Sequence, residues 1–249
     1  MSAPRPAVEP AAADPRDRLI VGLDVATVPE AESIVGRLGD AVAIYKIGFE
    51  LMMAGGLVLA ERLARSDKKV FVDMKLHDIG ATVEKATRQV ARLGAAFLTV
   101  HAYPQTLRAA VEGRGDSSLK ILGVTVLTSW DAADVREAGF SDTPDELVAR
   151  RVGQTLAAGA NGVICAPTDL AAVRRIAPRP FLAVTPGVRP AGAALGDQKR
   201  VATPAEAIRA GADFLVVARP VIAAAEPRAA AENILAEIGQ ALSERSASR

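Results

Sequence analysis

Cysteine and histidine are scarce in this sequence of 249 residues. Cys165 is its one cysteine, and His77 and His101 are its two histidines. A single cysteine cannot form an internal disulfide, so we expect a reducing compartment and predict the cytoplasm. A zinc site built from several cysteines is excluded, and two histidines are few for any metal cage. The sequence therefore predicts no metal site of these kinds.

A long apolar run and an excess of either charge are also absent. Lysine and arginine number 30 against 29 aspartate and glutamate, which gives a formal net charge of +1. Without a basic excess or stripe, a nucleic-acid partner is not expected. No stretch approaches the roughly 20 apolar residues that span a bilayer. The first residues, rich in Ala and Pro, lack the apolar core of a signal peptide, so no membrane association is expected.

Short apolar runs of four to eight residues recur along the chain and are typical of strands buried on both faces. Stretches with helical spacing separate most of them, most clearly over 28–38, 56–65, 82–93 and 203–210. Gly94, Gly159 and Gly211 follow helical stretches, where glycine favours the left-handed residue that ends a helix. The runs begin near Leu19, Ala43, Lys69, Ala96, Lys120, Asn161, Phe181 and Asp213.

Alternating strands and helices predict an α/β fold with parallel pairing and right-handed crossovers. Eight such units in this length predict a single (βα)8 TIM barrel. The alternative is an open doubly wound sheet, which would place a glycine-rich phosphate turn after the first strand. Residues 24–27 stand there and contain no glycine. We expect the barrel over residues 18–240, a disordered tail over 1–17 and a frayed end over 241–249.

The third apolar run ends in charged residues, and barrel active sites lie at the C-terminal ends of strands. Asp73 and Lys75 follow Val72, and two-residue alternation places both on one face. Asp78 lies three residues further on, so Lys75 is flanked by two carboxylates that favour its charged form. This pattern makes Lys75 a candidate proton donor. The alternative is a salt-bridge cluster that only closes the top of the barrel.

Arginines after the seventh and eighth runs predict a phosphate site, because barrel enzymes often bind phosphate in these two loops. Arg189 and Arg219 offer paired N–H donors, and Gly187 allows the backbone to approach a ligand closely. Residues 191–200 have the composition of a mobile flap over that phosphate. The alternative is two solvated arginines on a surface loop. For His77 and His101, a hydrogen bond to the backbone is the favoured role.

Seven segments, in order along the chain, carry a resemblance to a known family. They are Leu23-Asp24-Val25, Tyr45-Lys46-Ile47-Gly48, Asp73-Met74-Lys75-Leu76-His77-Asp78-Ile79, Val126-Leu127-Thr128-Ser129, Thr185-Pro186-Gly187-Val188-Arg189, Asp197-Gln198-Lys199-Arg200 and Arg219-Pro220. The chain resembles the orotidine 5′-phosphate decarboxylase family from Leu19 to about Ile238. The Asp-x-Lys-x-x-Asp core alone is shared with sugar-phosphate decarboxylases of the same barrel group, whereas the ordered set is specific.

The resemblance implies decarboxylation of orotidine 5′-monophosphate to uridine 5′-monophosphate in de novo pyrimidine biosynthesis, without a cofactor. Lys75 would protonate C6 of the pyrimidine as carbon dioxide leaves. Asp73 would press against the substrate carboxylate and help to hold Lys46 and Lys75 in a charged array. Preorganised charge would then stabilise the electron density that develops on C6.

The same resemblance implies the groups that bind the small-molecule substrate. Asp24 and Lys46 would hydrogen-bond the ribose hydroxyls, and Thr128, with Ser129 beside it, would read the pyrimidine edge. The groups implied to hold the phosphate are Arg189, Gln198 and Arg219. Further implied contacts around these segments are Met74, Leu76, His77, Ile79, Gly80, Ala81 and Ala218.

A homodimer with shared active sites is also implied, because Asp78 and Thr82 would reach the ribose end of the neighbouring subunit's site. Three positions depart from the family pattern. Gly80-Ala81 stands where an asparagine is common, Ala218 replaces a usual glycine, and Met74 replaces a usual leucine. None of these departures removes a charged group.

Two rival functions stay open. A related decarboxylase of a keto-sugar phosphate would use magnesium and want another acidic ligand near the end of the second strand, where Lys46 and Gly48 stand and Glu50 lies close by. An inactive nucleotide-phosphate binding barrel is the other, although phosphate binding alone does not need the set of Asp73, Lys75 and Asp78. Residues 130–144 are either a lid on the pyrimidine side or a long crossover.

Overall fold

The computed structural model describes residues 14–190 and 201–247, and it is a closed barrel of eight parallel strands. Each strand pairs with its sequence neighbours, and the last pairs with the first through Leu19↔Leu215 and Val21↔Val217. The predicted (βα)8 barrel is therefore confirmed. The strands are β1 (Leu19–Gly22), β2 (Ile44–Ile47), β3 (Lys69–Leu76), β4 (Phe97–His101), β5 (Lys120–Val124), β6 (Gly162–Ile164), β7 (Leu182–Thr185) and β8 (Phe214–Val217).

Helices follow the strands and cover the outside of the barrel. They are α1 (Val28–Leu38), α2 (Phe49–Leu51), α3 (Leu57–Ala64), α4 (Gly80–Leu93), α5 (Pro104–Arg114), α6 (Ala132–Glu137), α7 (Pro144–Ala157), α8 (Leu170–Ile176), α9 (Pro204–Ala210), α10 (Arg219–Ile222) and α11 (Pro227–Ala247). A π-helical turn, Met52–Gly56, joins α2 to α3. No helix in the described residues is long and apolar enough to cross a membrane.

Local sequence explains where several helices begin and end. The Thr27 hydroxyl accepts the Glu30 N–H of α1, and the Thr203 hydroxyl accepts the Glu206 N–H of α9. A proline lies in the first turn of each helix, where its missing N–H is not needed. Gly94 and Gly211 end α4 and α9 with φ of 85° and 116°. Gly159 has φ of 75°. The left-handed glycines predicted from the sequence are confirmed.

The strands bury side chains on both faces, as their continuous apolar runs predict. One set fills the interior of the barrel, with the Phe97 ring lying edge-on to Phe71 and Phe214 at 5.9 and 5.1 Å between centroids. The larger set packs between the strands and the helices. The interior set is Ile20, Ile44, Phe71, Phe97, Leu122, Val184 and Val216. It closes the barrel beneath the C-terminal ends of the strands.

A buried carboxylate ties β8 to its neighbours at the opposite end of the barrel. Asp213 is 5% exposed and accepts the Ala183 N–H and the Arg179 Nε–H, each at 2.9 Å. Arg174 of α8 also donates to Asp213. These partners satisfy a charge that would otherwise be costly to bury.

The ends of the domain lie beyond the boundaries predicted from the sequence. Pro15–Asp17 form a 3-10 turn, and Asp17 is paired with Lys69 of β3 at 2.8 Å, so these residues are part of the fold and not of a tail. At the other end, Ala241 and Leu242 are buried in α11 and are not frayed. Composition alone did not show that this helix packs on the barrel as far as Leu242.

The long segment after β5 is structured. Asp131 caps α6 in a capping box with Asp134, and Val135 is fully buried. Trp130 and Phe140 pack against the core from either side of this helix. Residues 130–144 therefore form a packed connection that contains a short helix, before α7 begins at Pro144.

Candidate active site

A cavity of 410 Å³ opens at the C-terminal ends of the strands. Its floor includes Phe71 and Val216 from the barrel interior, and Val124, Leu127 and Ile164 add an apolar wall. The predicted site residues that line it are Asp24, Lys46, Asp73, Lys75, Thr128, Gly187, Arg189, Ala218 and Arg219. A volume of this size is in the range of small-molecule sites.

Four charged side chains form an alternating row along one wall of the cavity. Lys46 Nζ lies 2.8 Å from Asp24 Oδ1 and 3.6 Å from Asp73 Oδ2. Asp73 Oδ1 in turn lies 2.9 Å from Lys75 Nζ. Adjacent ends of β1, β2 and β3 supply the row, so parallel pairing of these strands assembles it. The predicted array of Asp73 with Lys46 and Lys75 is present.

Two glycines leave room for this row. A Cβ at Gly22 would lie 3.1 Å from Lys46 Cε and 3.0 Å from Ala218 Cβ. A Cβ at Gly48 would lie 3.2 Å from both Asp24 Oδ1 and Lys46 Nζ. Side chains at either position would crowd the Lys46 ammonium. The Ala218 methyl faces Gly22, and the absence of a side chain at Gly22 leaves room for that methyl.

Charge holds the Asp73 carboxyl in its ionised form. Burial alone would raise its pKa, but the Lys46 and Lys75 ammoniums, with hydrogen bonds from Lys75 and Thr99, outweigh burial and hold the pKa below its ordinary value of 3.8. The carboxylate is therefore negative at neutral pH, and it lies beside the Lys75 side-chain nitrogen. A pairing of this kind is typical of functional sites.

The end of β3 is irregular, which the alternation argument did not anticipate. The register between β3 and β4 shifts between Val72 and Leu76. Lys75 has φ of 44°, the only positive value of a non-glycine residue in the described ranges. Its side chain still meets Asp73, but through this unusual backbone and not through a regular two-residue repeat. Asp78 takes no part in that pair; its Oδ1 accepts the Ile79 N–H at 2.6 Å.

The arginine end of the cavity is formed by the loops after β7 and β8. Arg189 and Arg219 both line it, and Arg219 begins the short helix α10. The Arg189 N–H donates to the Ala202 carbonyl at 3.0 Å, which anchors the arginine's backbone to the chain before α9. Gln198 and the flap predicted over 191–200 lie outside the described residues. The Arg189 guanidinium also donates to the Val188 carbonyl at 2.8 Å, and binding of a phosphate by the two arginines stays a prediction.

Several residues implied by the resemblance do not line the cavity of a single chain. Met74 and Leu76 are half-buried, and they pack against the core that lies between the strands and the helices and do not line the cavity. The remaining ones lie at the start of α4, mostly exposed: Asp78, Ile79, Gly80, Ala81 and Thr82. Contacts of these residues with a substrate therefore stay predictions, and those of Asp78 and Thr82 would need a second subunit.

Both histidines lie outside the main cavity and contact neighbouring side chains. His77 Nδ1 lies 3.1 Å from the Thr106 hydroxyl, and its ring stacks on Tyr103 at 4.5 Å. The favoured backbone bond is thus replaced by a side-chain partner. His101 borders a separate small cavity with Arg151, and its pKa is lowered by burial and then by the nearby His77, Lys75 and Arg151. Neither histidine lines the main cavity.

Sequence reasoning missed the apolar wall and the hydroxyl of Thr99. Val124, Ile164 and Val216 belong to buried strands, and the two-residue period identifies the inward positions only once the register is known. Thr99 is fully buried in β4 and bonds both Asp73 and Lys75. A threonine in an apolar run carries no signal of this role.

Comparison with known proteins identifies the family of this chain. The family model described as "Orotidine 5'-phosphate decarboxylase / HUMPS family" matches residues 17–234. The chain is 60% identical over 230 residues to an orotidine 5′-phosphate decarboxylase of Methylobacterium sp. (strain 4-46), covering 91% of this chain and 98% of the relative. A relative of the same name from Rhodopseudomonas palustris (strain BisB5) is 58% identical over 233 residues, covering 93% and 99%.

A solved structure shows the same fold. The crystal structure of orotidine 5′-phosphate decarboxylase from Lactobacillus acidophilus superimposes with a TM-score of 0.79 at 34% identity, covering 89% of this chain and 99% of that one. Sequence identity, coverage and fold all indicate the same family. The chain belongs to the orotidine 5′-phosphate decarboxylase / HUMPS family.

Proposed function

We propose that this chain converts orotidine 5′-monophosphate to uridine 5′-monophosphate and carbon dioxide in de novo pyrimidine biosynthesis, without a cofactor. The observation that carries the proposal is the alternating row of Asp24, Lys46, Asp73 and Lys75 in a cavity whose far end holds Arg189 and Arg219. One end suits proton transfer at a carbon, and the other suits a phosphate. The names of relatives about 60% identical support the same substrate.

Lys75 is the proton donor in this proposal. The bond between C6 and the carboxylate breaks, the electron pair stays on C6, and carbon dioxide leaves. The Lys75 ammonium then gives one proton to C6, and the resulting amine is reprotonated from solvent. Because Asp73 holds that ammonium at 2.9 Å, the positive charge is in place before C6 becomes negative. Charge fixed in advance avoids reorganisation at the moment of reaction.

Asp73 has a second role here. Its carboxylate is held ionised, so a substrate carboxylate brought beside it meets a like charge. Loss of carbon dioxide relieves that repulsion. Binding energy from the remote phosphate, gripped by Arg189 and Arg219, offsets the cost of bringing the two anions together. Lys46 and Asp24 hydrogen-bond the ribose hydroxyls, and Thr128 reads the pyrimidine edge.

The apolar wall also fits the reaction. Val124, Leu127 and Ile164 offer no hydrogen bond from their side chains, so this part of the cavity is poorly matched to a carboxylate and better matched to neutral carbon dioxide. An environment that disfavours the charged reactant relative to the neutral product assists cleavage.

A direct assay tests the proposal. Loss of orotidine 5′-monophosphate absorbance is followed with a chelator present, and product is identified by chromatography. We expect full turnover under these conditions. Activity that needs magnesium and a keto-sugar phosphate would instead favour the rival decarboxylase, but Glu50, its candidate extra ligand, is exposed and does not line the cavity.

We also propose a homodimer with shared active sites, in the cytoplasm. Large apolar side chains are exposed on the segments that follow β2 and β3: Phe49 at 52%, Met53 at 84%, Val58 at 64% and Ile79 at 69%. Exposed apolar clusters of this kind mark interaction surfaces. Asp78 and Thr82 lie on the same side of the barrel, next to Ile79, where a second copy covering the cluster would receive them.

A further inference from the structure

A single buried hydroxyl joins the backbone of Lys75 to the Asp73 carboxylate at the end of β3. Thr99 lies on β4, 26 residues from Asp73, and is fully buried. Its Oγ1 is 3.0 Å from the Lys75 backbone nitrogen and 2.8 Å from Asp73 Oδ1. Thr99 is not among the residues that line the cavity.

The chemistry of a hydroxyl fixes which way these bonds run. A threonine side chain has one proton to donate and can accept from two directions. The Lys75 N–H has only a proton to offer, so Thr99 accepts there. Its own proton is then free for the Asp73 carboxylate, which can only accept. Lys75 Nζ donates to the same Asp73 Oδ1 at 2.9 Å. These bonds form a closed ring, which runs from the Lys75 backbone through Thr99 and Asp73 to the Lys75 side chain.

The hydroxyl also accepts a backbone N–H where β3 is irregular. The register of β3 and β4 shifts between Val72 and Leu76, and Lys75 takes φ of 44°, a conformation that L residues seldom adopt. This N–H takes no part in the regular pairing of β3 with β2, which ends at Val72. Thr99 accepts it instead. A backbone conformation that is rarely populated persists only where surrounding contacts hold it, and such positions cluster at active sites.

We propose that Thr99 is a positioning residue for the decarboxylation: its hydroxyl holds the left-handed backbone of Lys75 and the Asp73 carboxylate in the geometry that reaction requires. The inference rests on the proposed function for the roles of Asp73 and Lys75. Without the hydroxyl, the Lys75 amide loses its acceptor and the Asp73 carboxylate loses one of its donors. The ammonium would then be less well aligned with the reacting carbon.

Two matched pairs of variants isolate the hydroxyl. The first pair is wild type and Thr99→Val, which keeps the shape of the side chain but removes the hydroxyl. The second pair is Thr99→Ser and Thr99→Ala, which differ by the hydroxyl in the absence of the threonine methyl. Thr87→Val is the control, because Thr87 is also fully buried and its hydroxyl has no partner in the described residues. We expect the loss of a hydrogen bond to a charged group to lower kcat about 10–100-fold in each pair. KM should change little, and Thr87→Val should be near wild type.

Equal kcat within both pairs overturns the proposal. So does a loss confined to KM, or a loss that Thr87→Val shares. If Thr99→Val does not fold, the Ser and Ala pair decides alone. Amide hydrogen exchange at Lys75 gives a readout without substrate: Thr99→Val should exchange faster there than wild type. If wild type fails to decarboxylate orotidine 5′-monophosphate, the proposed function fails, and unchanged exchange would separately overturn the role of Thr99.

Discussion

Lys75 Nζ lies 2.9 Å from Asp73 Oδ1, although the backbone of Lys75 departs from the strand that carries both residues. The pair therefore depends on an irregular strand end, fixed by contacts from β4, and not on strand periodicity alone. Side chains held this way are already oriented before a substrate arrives. Such preorganisation is what catalysis by fixed charge needs.

Lys75→Ala should abolish turnover and leave a folded barrel. Loss of the proton donor alone removes about 10²–10⁴-fold in kcat, and loss of its charge adds to that. Lys120→Ala is the control, since Lys120 is an exposed strand lysine at the opposite end of the barrel. Steady-state kinetics and circular dichroism check both. A Lys75→Ala enzyme with substantial kcat would remove Lys75 from the mechanism.

Arg219→Ala should weaken use of the phosphorylated substrate far more than use of the nucleoside. Arg219 lines the end of the cavity assigned to phosphate, so its loss affects only a ligand that carries that group. The comparison is kcat/KM for orotidine 5′-monophosphate and for orotidine, with Arg92→Ala on the exposed surface of α4 as control. The expected loss on the nucleotide is about 10–100-fold, as for a charge-assisted bond. Equal losses on both substrates would contradict the phosphate role.

Mixing two inactive variants tests the shared site. Lys75→Ala and Asp78→Asn should each give weak or inactive dimers. If Asp78 serves the partner's site, exchange of subunits creates one site with both residues intact and one with both lesions. Activity then returns to about half of wild type per mixed dimer, by two-fold symmetry. Exchange confirmed by mass with no return of activity would place Asp78 in its own chain's site.

The stability contributed by Asp73 should disappear in acid. Because the pKa of Asp73 is lowered in the folded state, folding favours its carboxylate. That contribution is fully present above the unfolded pKa, about 3.9, and is lost as pH falls through the lower folded value. The difference in Tm between wild type and Asp73→Asn should therefore shift against wild type below about pH 4. A difference that stays constant from neutral pH into this range would contradict the assignment.

Asp213→Ala should destabilise the protein without altering the chemistry. Asp213 is buried at the N-terminal end of β8 and accepts from Arg174, Arg179 and the Ala183 N–H. Breaking a buried ion pair by removing one partner costs about 3–5 kcal/mol of the free energy of unfolding. Denaturant unfolding measures this, and kcat of the folded fraction should match wild type. Asp40→Asn, at an exposed ion pair with Arg228, is the control and should change little.

The sequence by itself determined the barrel and the chain positions of its charged strand ends. Each strand begins within one residue of its predicted start, because strands buried on both faces must be apolar throughout. Helix ends such as Gly94 followed from local backbone chemistry. The same runs ended in Asp24, Asp73 and Arg219, all of which line one cavity. These features depend on neighbours in the chain, which the sequence displays directly.

Only the tertiary structure decided how those groups meet. Met74 and Leu76 pack into the core and leave the cavity, the Lys75 backbone is left-handed, and the Thr99 hydroxyl reaches Asp73 from the next strand. Each of these features depends on how β3 pairs with β4. The register of that pair shifts between Val72 and Leu76, and the composition of neither strand predicts the shift. A side chain's partners are set by the strand placed beside it in space, and that strand lies more than twenty residues away in the chain.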